Sequence, residues 1–127
     1  IHKPKIIFIA APLTKKTKNL FCSKTFNLMK QKPIIINISR GEIISTDDLI
    51  HSLNNKCIQA AALDVTYPEP LPLNNELYKM RNVIITPHIA SISKEYSKRY
   101  FALIEKNIAQ YLNNSAFTNV VNLNRGY

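Results

Sequence analysis

A chain of 127 residues that is 46% hydrophobic is the size of one ordinary domain and can bury a usable core, which excludes a disordered tail. No apolar run approaches the roughly 18 residues of a membrane span, so no membrane role is expected. The formal charge of +9 is uneven: residues 1–32 carry eight lysines and no acid, and the rest is nearly balanced. These lysines fall at the ends of predicted elements. That favours a solvated face over a nucleic-acid surface, and cofactor phosphates would also be drawn to it.

The opening "IHKPKIIFIAAPLT" is too short and too soon interrupted for a signal peptide. With no initiating methionine, the expectation is a fragment. "KIIFIA" (5–10), stopped by Pro12, predicts a buried strand. Ser23 is expected to N-cap a short helix through Lys30, with Phe26 and Met29 on one face and Pro33 ending it. "IIINI" (34–38) is β-branched almost throughout, which predicts a strand covered on both faces. Ser45 and Asp48 match a capping box that opens a helix with Leu49, Ile50 and Leu53 inward. Asp47 and Asp48 also suit its positive N-terminal end.

"IQAAALDV" (58–65) and "NVIIT" (82–86) read as the third and fourth strands. From Ser93 to Asn113 runs one long amphipathic helix, striped by Tyr96, Tyr100, Ile104, Ile108 and Tyr111. Cys22 and Cys57 form no C-x-x-C pair and no metal spacing. They are read as small core thiols in a reducing, cytoplasmic setting, with no metal expected. Strands alternating with helices mean βαβ units and a parallel sheet, so the fold class is α/β.

In open parallel sheets, ligands bind beyond the carboxyl ends of the strands. Those ends read "APLT", "SRG", Asp64 followed by "TYPEP", and "TPHIAS". Arg40, Asp64 with Glu69, and His88 are therefore expected on one edge. Singly, Arg40 is a surface charge, Asp64 a strand-end cap and a lone histidine structural or exposed, as His2 and His51 are read. Together they suggest chemistry. Gly41 would permit a positive φ and close approach of a ligand beside Arg40, whose planar guanidinium suits a carboxylate. Glu69, between Pro68 and Pro70, would be held in a rigid turn. A carboxylate bonded to an imidazole stabilises its charged form and keeps a proton available for general acid work. An arginine for the substrate carboxylate, a histidine acid and a glutamate partner suit reduction of a 2-oxo acid, with hydride from a nicotinamide cofactor.

"APLTKKT", "INISRG", "AALDV" followed by "PEPLP", and "NVIITPHIAS" resemble, in order and spacing, the D-isomer-specific 2-hydroxyacid dehydrogenases over essentially the whole chain. "NISRG" and "LDVTYPEPLP" look most like the glyoxylate/hydroxypyruvate reductase branch. The resemblance implies the C-terminal part of a Rossmann-type, doubly wound parallel sheet of about four strands with a long C-terminal helix. Residues 1–92 would be the C-terminal half of the NAD(P)-binding domain, and 93–127 a returning helix and tail against a substrate domain.

By the same resemblance, Arg40 would bind the substrate carboxylate and carbonyl, His88 would be the acid/base and Glu69 its partner. Asp64 would meet the nicotinamide carboxamide; Pro12 and Thr14 would lie along the cofactor, and Ile38 would give it a backbone contact. Ala90 and Ser91 would sit beside the nicotinamide and substrate. NADP(H) is the expected cofactor, with NAD(H) possible, a 2-oxo acid the substrate and a homodimer the assembly. The family's G-x-G-x-x-G loop is absent: Gly41 and Gly126 are the only glycines. A non-catalytic dinucleotide-sensing protein of this fold, or an inactive truncated remnant, is the alternative.

Overall fold

The computed structural model describes residues 3–127, so His2 lies outside the described residues. The chain divides into two compact units, Ile1–Ala90 and Ser91–Tyr127. The first contains β1 (Ile6–Ile9), α1 (Ser23–Phe26), β2 (Ile34–Asn37), α2 (Thr46–Asn54), β3 (Ala60–Leu63) and β4 (Val83–Ile85). Short 3-10 turns lie at Gly41–Ile43 and Glu76–Lys79. The strands form one sheet in the order β1-β2-β3-β4, every neighbouring pair parallel. The expected α/β Rossmann-type sheet is present.

Register explains the core. Ile9, Asn37, Leu63 and Ile85 pair across the sheet, as do Ile7, Ile35, Ala61 and Val83 one pleat away. Period-two alternation puts both rows on one face. Phe26, Met29, Leu49, Leu53, Leu71 and Leu77 pack into the cluster beneath them. The opposite face is open: Ile6 is 51% exposed, Phe8 65% and Ile84 66%. Within this chain the outward residues of β2, Ile34 and Ile36, are half-buried. A continuous apolar run fits a strand with either one or two covered faces, and here its outward residues lie on the open face.

Two helix starts differ from expectation for a shared reason. The N-cap of α1 is Cys22, and the Ser23 hydroxyl donates instead to Asp48 Oδ1 at 2.6 Å. At α2 the N-cap is Ser45, but its side chain makes no capping bond. Its backbone N–H donates to the Phe21 carbonyl at 2.9 Å, so Asp48 does not close the reciprocal box. Asp48 ties α2 to α1 across 25 residues instead, and the Ser23 hydroxyl holds its carboxyl below the ordinary range. Both thiols, expected in the core, are half-buried. The backbone and hydroxyl of Thr25 hold the Cys22 thiol below its ordinary value.

The second unit contains α3 (Tyr96–Leu112). Tyr96 and Tyr100 stack at 5.9 Å between ring centroids, one turn apart. None of its residues is buried; Ile104, Asn107 and Gln110 are half-buried. The following segment returns along that side, where Asn107 and Gln110 bond Asn119 and Thr118. The aromatic stripe is thus not the covered side of this helix.

If Asp48 serves Ser23 rather than a capping box, Ser23→Ala costs about 1–2 kcal/mol of unfolding free energy. Ser45→Ala, which leaves the Phe21 bond intact, costs less. Urea melts of both variants order them, and the reverse order would restore the capping box.

Candidate active site

All four strands run the same way, so their carboxyl ends share one edge. Asp64 follows β3 directly and is buried, 6% exposed. Its Oδ1 accepts from the Thr86 hydroxyl at 2.6 Å and the Ile89 amide at 2.9 Å; Oδ2 accepts from the Ala90 amide at 2.8 Å. Burial pushes this carboxyl up, but Thr86, the Ala90 and Ile89 amides and nearby His88 outweigh it, and its pKa lies below the ordinary value. Four acceptor directions with three filled leave Oδ2 able to take one more donor.

Those bonds fold the chain after β4. His88 has φ +54°, in the left-handed region that a side chain other than glycine rarely adopts. Its N–H donates to the Asp64 carbonyl at 2.9 Å and to the Thr86 carbonyl at 3.0 Å. The two amides that follow are held by the Asp64 carboxylate, so the conformation is fixed from both sides.

The result points the imidazole at Glu69: His88 Nδ1 lies 2.7 Å from Glu69 Oε1. An ionised carboxylate only accepts, so Nδ1 carries the hydrogen and Nε2 is the nitrogen left for a ligand. The side chains are 49% and 43% exposed, and at that exposure an ion pair adds little to stability. Its effect is orientation. An open cleft of about 640 Å³ adjoins the pair, lined by Asp64, Glu69 and His88 and walled by Leu71, Leu77 and Ile85.

Arg40 is exposed, its backbone extended, and its Nη1 donates to the Ser39 carbonyl at 2.7 Å. Asn37, to which sequence reading assigned no role, accepts from the Ser39 amide and hydroxyl and donates to the Arg40 carbonyl. Gly41 departs from expectation. It is buried, its φ is not positive, and a Cβ there would run into the Thr66 carbonyl and the Tyr67 nitrogen. Glycine is required here by the neighbouring loop. Thr46 adds a second tie through its hydroxyl to the Tyr67 carbonyl at 2.7 Å. The turn bearing Arg40 and the loop bearing Glu69 thus rest on each other.

The remaining positions sit around this edge. The Pro12 carbonyl accepts from the Thr17 hydroxyl at 2.7 Å, and the same hydroxyl meets the Thr14 amide and hydroxyl. Ile38 is 46% exposed, and its amide donates to the Ile9 carbonyl. Ala90 is exposed and pinned through its amide to Asp64; Ser91, also exposed, opens the second unit. Asn37 and Thr86 could have been found from sequence only by asking which polar residues flank the strand ends, and Thr46, which opens α2, gave no such signal.

The structure is thus a Rossmann-type parallel sheet with a histidine–carboxylate pair beyond its carboxyl edge. The family model described as D-isomer specific 2-hydroxyacid dehydrogenase, NAD binding domain, matches residues 1–90, and the chain belongs to that family. It is 38% identical over 122 residues to a glyoxylate reductase of Thermococcus litoralis, covering 96% of this chain and 37% of that protein. A D-isomer specific 2-hydroxyacid dehydrogenase from Xanthobacter autotrophicus Py2, solved with NADPH and MES, superposes with a TM-score of 0.89 at 32% identity. That match covers 97% of this chain and 50% of the solved one. An NADPH-dependent glyoxylate/hydroxypyruvate reductase from Sinorhizobium meliloti, with NADP and sulfate, gives 0.87 at 27% identity, over 97% of this chain and 40% of its own. The chain spans at most half the length of these relatives.

Two predictions test the scaffold. Because its carboxyl is depressed in the folded state, Asp64 contributes stability above the ordinary carboxylate pKa of about 3.9 and loses it as pH falls through the lower folded value. The Ile89 and Ala90 amide resonances should therefore move together in that acid range in wild type and stay flat in Asp64→Asn. Separately, Gly41→Ala forces the 66–67 backbone aside and should cost about 1–3 kcal/mol in a denaturant melt. An unchanged melt would mean that the two loops do not rest on each other.

Proposed function

We propose that this chain supplies the proton-transfer pair and the carboxylate-binding arginine of a reductase that converts a 2-oxo acid into a D-2-hydroxy acid. Glyoxylate and hydroxypyruvate are the proposed substrates. NADPH is the preferred donor and NADH is possible, in keeping with the relatives solved with NADPH or NADP. The observation that carries the reading is the 2.7 Å bond between His88 Nδ1 and Glu69 Oε1 on a loop anchored by Asp64.

The chemistry divides cleanly among the residues. A reduced nicotinamide, when bound, supplies hydride to the carbonyl carbon. His88 gives the proton from Nε2 to the carbonyl oxygen, while Glu69 holds Nδ1–H and fixes the direction of the ring. Arg40 holds the substrate carboxylate through its planar fork. The open acceptor direction on Asp64 Oδ2 fits a carboxamide N–H, and Ile38 and Ala90 supply backbone beside it. Pro12 and Thr14 lie along the cofactor, and Ser91 serves the substrate. Residues 1–92 act as the C-terminal half of the nucleotide-binding domain.

In the natural protein that contains this chain, His88→Gln should lower kcat for glyoxylate by about 10²–10⁴-fold while leaving NADPH binding intact. Turnover comparable to wild type would remove His88 as the acid. NADPH binding without any 2-oxo acid turnover in the wild type would favour the dinucleotide-sensing alternative.

A further inference from the structure

Arg40 is placed by a turn that one buried side chain organises. Asn37 ends β2 and is completely buried, in a core-facing row whose other members, Ile9, Leu63 and Ile85, are apolar. A buried amide is costly unless its hydrogen bonds are made. Those found for the Asn37 side chain all serve Ser39 and Arg40. Its Oδ1 accepts from the Ser39 amide at 3.1 Å and the Ser39 hydroxyl at 3.0 Å, and its Nδ2 donates to the Arg40 carbonyl at 2.9 Å. The Ser39 carbonyl in turn accepts from Arg40 Nη1 at 2.7 Å. Both ends of Arg40 therefore hang on Asn37, the main chain directly and the guanidinium through Ser39. The other bond to the Arg40 carbonyl, from the Ile43 amide, is longer at 3.3 Å.

We infer that Asn37 is a positioning residue for recognition of the substrate carboxylate: it aims Arg40 without touching the ligand. The inference rests on the reading of Arg40 given above. An amide suits the task because it combines a double acceptor with a donor in one rigid plane, and the turn needs both. A valine or isoleucine would satisfy the strand and the core but leave Ser39 and Arg40 to settle elsewhere. Recognition by a planar fork loses affinity when the fork is misaimed by even a fraction of an ångström.

Kinetics of the natural protein separate this role from a purely structural one. Asn37→Leu keeps the branching at Cγ and removes all three bonds; Ser39→Ala removes only the hydroxyl bond. Asn37→Leu should raise KM for glyoxylate and Ki for oxamate, an unreactive analogue with the same carboxylate, by about tenfold, with kcat within about threefold. Ser39→Ala should stay within about twofold of wild type on both constants. If Arg40→Lys raises both constants while Asn37→Leu leaves them unchanged, Asn37 does not aim Arg40, although the Arg40 reading stands. If Arg40→Lys changes neither, the Arg40 reading fails and takes this inference with it. A rise in Ser39→Ala equal to that in Asn37→Leu would overturn the role of the Arg40 carbonyl bond. Should Asn37→Leu not fold, Asn37→Ala, which admits water to the same atoms, is judged on the same two constants.

Discussion

The site depends on one buried carboxylate. Where β3 and β4 end, the sheet no longer pairs backbone groups, and the chain after β4 would have amides with no partner. Asp64 gathers two of them, together with the Thr86 hydroxyl, on a single side chain. An isolated buried anion is expensive, and it persists here because three donors converge on it. The left-handed backbone of His88 follows from that convergence. The residue has to turn back between a carbonyl that takes its amide and a carboxylate that takes the next two. Removing the anion would free the turn, and the imidazole would lose its direction before it lost its partner.

From this anchor the contacts run in series around the edge of the sheet. His88 meets Glu69, and the segment from Thr66 to Tyr67 that leads to Glu69 lies against Gly41 and Thr46. Gly41 follows Arg40, whose carbonyl returns through Asn37 to the end of β2. The exposed charged groups add little stability themselves. Their positions are set by backbone contacts and by buried polar side chains, which are rigid where the charged side chains are not. A change at Gly41 or Asn37 therefore reaches the site without any contact with a ligand.

Sequence revealed the strands, their parallel order and the edge on which Arg40, Asp64, Glu69 and His88 gather, because each of these rests on local pattern or on a general property of parallel sheets. It misled where a local pattern met a distant competitor. The capping box of Ser45 and Asp48 is a sound local motif, but the Phe21 carbonyl takes the Ser45 amide and Ser23 takes the carboxylate. Gly41 suggested ligand access because glycine permits it, and the Thr66 backbone, 25 residues on, is what needs the space. Asn37 carries no signal of its role in the sequence, since nothing in the strand pattern distinguishes an amide that ends a strand from one that builds the next turn. For the capping box and for Gly41 the deciding partner lies on another element; for Asn37 it is the next turn itself.

On the proposed reading, acid–base chemistry and substrate choice are built differently. Every bond that orients His88, Glu69, Arg40 and Asp64 lies between residues 37 and 90, within the first unit. The proposed proton-transfer groups are thus assembled within that unit, and on the bare face of its sheet Phe8 and Ile84 stand exposed. Selectivity among 2-oxo acids needs more than a proton donor and a carboxylate grip, because every member of the class offers the same carbonyl and carboxylate. The part of the substrate that differs has to meet other walls. The cleft beside Glu69 and His88 is one-sided and open, with Leu71, Leu77 and Ile85 on its apolar flank. On the proposed reading, the His88–Glu69 pair beside this one-sided cleft defines the reaction before it defines the substrate.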